Sequence, residues 1–119
     1  MDEANQSMDR QDCAQLLCWL TCGCLGAYYL DGTWPGPAFH VRAARKWLDR
    51  HRRYADWLTT AKLAATAVQL AQLHREVVDC EWVRDAVEEI VNGDDLNYDS
   101  ALVRRIYDDC QRALAHRLD

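Results

Sequence analysis

Charge is scarce in two long stretches of this 119-residue chain. Cys13 to Leu30, CAQLLCWLTCGCLGAYYL, contains no charged residue at all. That length is near the minimum for a membrane span. However, Gln15, Thr21, Gly23 and Gly26 interrupt it and acidic Asp12 and Asp31 bound it, so a buried first helix is expected. Asp56 to Leu73, DWLTTAKLAATAVQLAQL, has only Asp56 and Lys62 as charges. Its polarity shrinks to a thin line through Lys62, Thr66, Gln69 and Glu76. Surface helices show a broad polar face, so this second stretch is expected at the centre of the fold, ringed by the other helices.

Other absences exclude whole classes of function. The opening MDEANQSMDRQD has no cationic segment leading into an apolar one, so it does not read as a secretory signal. A flexible tail over residues 1–11 and one domain over 12–119 are expected. Reduced thiols are then the default for the six cysteines. Cys18 and Cys22 are spaced i,i+4, but no CxxC pair or HxxxH completes a metal set, so the thiols read as small buried hydrophobes. A formal net charge of −5 argues against a general nucleic-acid binder. His40, His51, His74 and His116 are scattered, and no phosphate loop, HExxH or calcium loop occurs. The chain reads as a protein that is not an enzyme and has no cofactor.

What is present is helical. No segment alternates in the manner of a strand, and no internal repeat occurs. Gly-Thr-Trp-Pro-Gly-Pro at 32–37 breaks the chain after the first helix. Pro37 to Leu58 predicts a second helix with apolar Phe39, Val41, Ala44, Trp47, Leu48 and Ala55. Its other face is basic, through Arg42, Arg45, Lys46, Arg50, Arg52 and Arg53. The third helix is expected to run on to about Val78. Asp79 is placed to cap a fourth, whose stripe is Trp82, Val83, Ala86, Val87, Ile90 and Val91, with a stop at Asn92-Gly93. A fifth opens near Asn97 and buries Leu102, Val103, Ile106, Tyr107, Cys110, Ala113, Leu114 and Leu118. Arg104–Asp108, Arg105–Asp109 and Asp108–Arg112 form i,i+4 pairs on its outer side. The expected architecture is all-α, with five main helices around an apolar one.

The basic stretch from Arg42 to Arg53 interleaves with Trp47, Tyr54 and Trp57, and Trp, Tyr and Arg are the residues enriched at binding hot spots. A solvated helix face and a rim that engages an acidic protein ligand are the two readings, and the second is preferred.

With its helices placed, the chain resembles the Bcl-2 family, in particular the compact homologues of large DNA viruses such as iridoviruses. Gln15 to Trp34 is similar to the family's first helix and the aromatic, acidic turn after it. Val41 to Leu58, VRAARKWLDRHRRYADWL, is similar to the BH3 region, with Arg50, His51, Arg52 and Arg53 as its basic core. Trp47 stands where a groove-lining Phe is expected, and Ala44-Arg45 replaces Gly-Asp. The BH1 motif fits in two registers. Asp56-Trp57-Leu58-Thr59 opens the apolar helix and is preferred; Glu81-Trp82-Val83-Arg84 keeps the arginine.

The resemblance implies a Bcl-2-like bundle that sequesters pro-apoptotic BH3 helices of a host. Such a ligand places apolar anchors at i, i+3, i+4 and i+7 into a hydrophobic groove. On this reading Trp47, Arg50, His51, Tyr54, Trp57, Leu58, Lys62 and Arg84 form or edge that groove, although the aromatics also fit an inward structural role. Arg84, or else Arg53 or Lys62, would pair with a ligand aspartate. A host-cytoplasmic location, mitochondrial association, a homodimer and a missing C-terminal membrane anchor also follow as expectations, with no nucleic-acid partner. The rival reading is an adaptor of the same fold that inhibits a signalling protein through a helix face without binding BH3 segments. A weaker third is a membrane-associated protein that uses Cys13–Leu30.

Overall fold

The first helix, not the third, is the axis of the molecule. The computed structural model describes residues 10–51, 57–93 and 96–117, with backbone alone at 51, 57–59, 116 and 117. Five α-helices run in chain order: α1 Arg10–Asp31, α2 Pro37–His51, α3 Trp57–Leu73, α4 Glu81–Asn92 and α5 Ala101–Arg117. No strand occurs among the described residues. α1 packs against all four of the others. From Asp12 to Ala27 every described residue but Gln15 is buried. By length and composition α1 could cross a membrane, and here that apolar surface forms the protein core, as its lack of charge predicts.

The expectation that 56–73 is the central helix is therefore corrected. α3 buries Leu63, Thr66, Ala67, Leu70 and Ala71 and exposes Ala61, Lys62, Ala65, Gln69, Gln72 and Leu73. Apart from Lys62, its outer face lacks charge without being covered. Alanine and glutamine tolerate water, and both favour helix, so a shortage of charge did not require burial. α3 also ends at Leu73, and Arg75–Val77 form a 3₁₀ turn instead of the expected continuation to Val78.

Close approach fixes two helix crossings. A Cβ at Gly26 would overlap the side chain of Val87 on α4, and one at Gly23 would lie 3.1 Å from the Phe39 ring and 3.2 Å from Ile90. Buried Thr21 donates to the Leu17 carbonyl at 2.8 Å, and Thr66 to that of Lys62 at 2.9 Å. Both hydroxyls thereby avoid the penalty of an unmade bond.

The helix ends have local causes. Gly32, at φ 77°, donates its N–H to the Tyr28 carbonyl and stops α1, and Tyr28 stacks on Trp34 at 4.3 Å to brace the turn. Pro37 sits at the first position of α2, where its missing N–H costs nothing. Gly93, at φ 85°, ends α4 as its sequence predicts. Two other expected caps are corrected. Cys80, not Asp79, precedes α4, and no side chain caps there. Asn97 does not open α5; its Oδ1 accepts from the Asp99 N–H, while the Ser100 carbonyl accepts from Arg104 as the helix begins. Arg10 and Gln11, expected within the tail, belong to α1, and residues 1–9 lie outside the described residues.

Candidate functional site: the groove between α2 and α3

α2 and α3 both rest on α1, and the space between them is a strongly apolar cleft. It holds about 380 Å³ and is lined by Pro35, Pro37, His40, Val41, Thr60, Ala61, Ala64, Ala65 and Val68. Local sequence explains its shape. Two prolines set one rim, and alanines at 61, 64 and 65 bring the α3 backbone near the surface. Val41, an apolar residue of the second helix, is 41% exposed and forms the α2 wall.

Among the described residues lining the cleft, His40 is the one that can ionise. Its Nε2 lies 3.0 Å from Cys24 Sγ on α1. Burial lowers the pKa of His40 from 6.5 and pushes the Cys24 thiol up to about 12. Both partners are neutral at pH 7, and a single proton is shared along the Sγ···Nε2 contact. A thiolate nucleophile does not form in this environment. The pair is a neutral joint between α1 and α2, and the groove floor remains uncharged. One exposed cation is near the opening on α2, Arg45, one turn beyond Val41, whereas Lys62 on α3 shares the face of Thr66, Gln69 and Leu73, away from the groove.

The residues expected to form a BH3 groove are dispersed. Trp47 is 1% exposed and belongs to the core with Ala43 and Ala44. Arg50 is exposed near the end of α2, and Lys62 is exposed on the face of α3 that carries Thr66, Gln69 and Leu73. Arg84 is on α4, where its guanidinium donates to the Tyr29 hydroxyl at 3.5 Å and lies 5.8 Å from the Tyr29 ring centre. Tyr54, Arg52 and Arg53 fall outside the described residues, as do the side chains of His51, Trp57 and Leu58. None of the expected groove residues whose side chains are described lines this cleft.

Sequence reasoning passes over His40, Thr60, Ala64, Ala65 and Val68. The signal for them is the run of small residues on α3, which reads equally well as a buried surface or a groove wall. The His40–Cys24 pairing joins residues 16 apart on different helices, and no local motif announces it.

Three further thiols lie inside. Cys18, Cys22 and Cys110 are fully buried. The hydrogen bond with Cys110 lowers the Cys18 pKa, but hydrogen bonding with Cys22, burial and the Cys22 charge together carry it well above its ordinary value. Burial likewise raises that of Cys110. Around α5 the ion pairs differ from the expected i,i+4 set. Arg105 reaches Glu76 at 3.7 Å, while Asp109 is held by Arg112 and by His74.

Compared with known proteins, the chain matches no family model, no curated protein and no solved structure.

Proposed function

We propose that this protein is a binding module that seats an amphipathic helix of a partner protein in the α2–α3 groove. The observation that carries this reading is the groove itself, an apolar cleft of about 380 Å³ with an uncharged floor and small-residue walls. Thr60 to Val68 advances about 12 Å along α3, close to the roughly 10.5 Å between anchors i and i+7 of a bound helix. The alanines let a ligand backbone come near, and exposed Arg45, one turn beyond Val41, favours a ligand with an acidic flank.

The specific ligand, on the resemblance of Val41–Leu58 and the apolar third helix to the Bcl-2 family, is a pro-apoptotic BH3 helix. The protein would sequester it and so oppose apoptosis. Calorimetric titration with a broad panel of BH3 peptides tests this. A sub-micromolar complex is expected, about −8 kcal/mol or better. Ala65→Glu, at an exposed groove position, should abolish binding without lowering the melting temperature. A panel without measurable heat would remove the BH3 reading.

One observation favours a second reading. Arg84 and Trp47 lie away from the groove, one on α4 and one in the core. An adaptor that uses the charge-poor outer face of α3, including Leu73 at 73% exposure, to inhibit a signalling protein does not need those residues at a BH3 cleft.

A further inference from the structure

A different pair of residues joins the far end of α3 to α5. His74 follows the last residue of α3 and is 3% exposed. Its Nε2 lies 2.5 Å from Asp109 Oδ2, and Asp109 Oδ1 is held by Arg112. The other ring nitrogen, Nδ1, is buried and has no hydrogen-bond partner. This arrangement fixes the tautomer, because the carboxylate requires a donor and the proton therefore sits on Nε2. Nδ1 is the basic lone pair, sealed from water.

We propose that His74 and Asp109 form a pH-sensitive latch that fastens the end of α3 to α5 and releases it on mild acidification. An added proton must enter at Nδ1, where it finds no acceptor. Leaving a buried charged donor unpaired is costly. The usual compensation, an ion pair with Asp109, is weakened because Arg112 already neutralises that carboxylate. The charges acting on His74 are Glu76 from the 3₁₀ turn, which favours protonation, and Arg105 and Arg112 from α5, which oppose it. Glu76 is itself engaged by Arg105. α3 contributes Lys62, three turns away, and the charged residues of α1 are Arg10, Asp12 and Asp31 near its two ends. Burial is the largest influence and keeps the ring neutral. Opening the latch gives Nδ1 access to water and relieves the penalty. The cleft of about 480 Å³ beside the latch, lined by Leu70, Leu73, Asp109 and Arg112 among others, lies between the two helices that would separate.

The test is residue-resolved amide hydrogen exchange with imidazole ¹⁵N shifts, from about pH 7.5 to about pH 5.5. At the higher pH His74 should show the neutral form protonated on Nε2. On acidification, protection of amides 70–77 should fall by more than the intrinsic pH dependence of exchange, while α1 amides remain protected. His74→Gln supplies a donor near Nε2 and does not titrate, so it should remove the extra loss. A charged His74 ring at the lower pH with amides 70–77 still protected would overturn the proposal. So would an equal loss in His74→Gln, which would place the sensitivity at another group. If that variant does not fold, the wild-type shifts and protection decide alone.

Discussion

Gly26 of α1 and Val87 of α4 meet so closely that a Cβ on the glycine would lie 2.9 Å from the Val87 Cβ and 3.2 Å from the Val83 carbonyl oxygen. The obstacle includes backbone and therefore cannot rotate aside. Gly26→Ala should cost about 1–3 kcal/mol from overpacking, against a gain of about 1 kcal/mol in helix propensity. Gly23→Ala meets only the ends of the Phe39 and Ile90 side chains, which can shift, and should be milder. Urea unfolding of the two variants checks the order. A Gly26→Ala protein more stable than wild type would contradict this α1–α4 crossing.

The assignment of α1 as the axis gives a second expectation. Leu20 is fully buried, and Leu20→Ala should cost about 2–5 kcal/mol. On α3 the two faces should differ sharply. Ala67 is fully buried, so Ala67→Glu places a carboxylate in the core and should prevent stable folding. Ala65 is exposed, and Ala65→Glu should leave the melting temperature nearly unchanged. Equal damage at both positions would return α3 to the centre.

The fold class was legible because α-helical patterning is local. The all-α reading, the break at 32–37 and the Gly93 stop follow from short stretches of sequence. The location of the centre was not. Both α1 and α3 are poor in charge, but α1 combines leucine, cysteine and tryptophan, whereas α3 relies on alanine and glutamine. Only a partner helix determines whether an alanine face is covered. Long-range pairs were equally hidden: His40–Cys24 and His74–Asp109 are invisible to spacing rules because each joins separate elements.

Thiol reactivity should follow burial. Cys18, Cys22, Cys24 and Cys110 are fully buried, whereas Cys80 is partly exposed. Iodoacetamide at neutral pH should label Cys80 first and the other five, buried Cys13 included, slowly, with rapid labelling after denaturation. Mass mapping resolves the order. Early modification of Cys24 would contradict the neutral Cys24–His40 joint.

Acid should weaken the fold through its two buried histidines. Burial lowers the pKa of both His40 and His74 below the 6.5 of the unfolded chain. The unfolded state therefore binds protons first. Their contribution is fully present above about pH 6.5 and declines as pH falls toward the folded-state values. Chemical unfolding in a pH series should show this decline, and replacing His40 with a non-titrating residue should reduce it. A flat profile between about pH 7 and pH 5 would contradict the buried, neutral state of both rings.

The most direct test of the functional account is the footprint of a bound BH3 peptide in the amide spectrum of the folded protein. The account predicts saturable shifts concentrated at His40, Val41, Ala61, Ala64, Ala65 and Val68, lost in Ala65→Glu. Shifts centred instead on Arg84 and Tyr29, or no shifts with any peptide, would contradict the α2–α3 groove as the binding site.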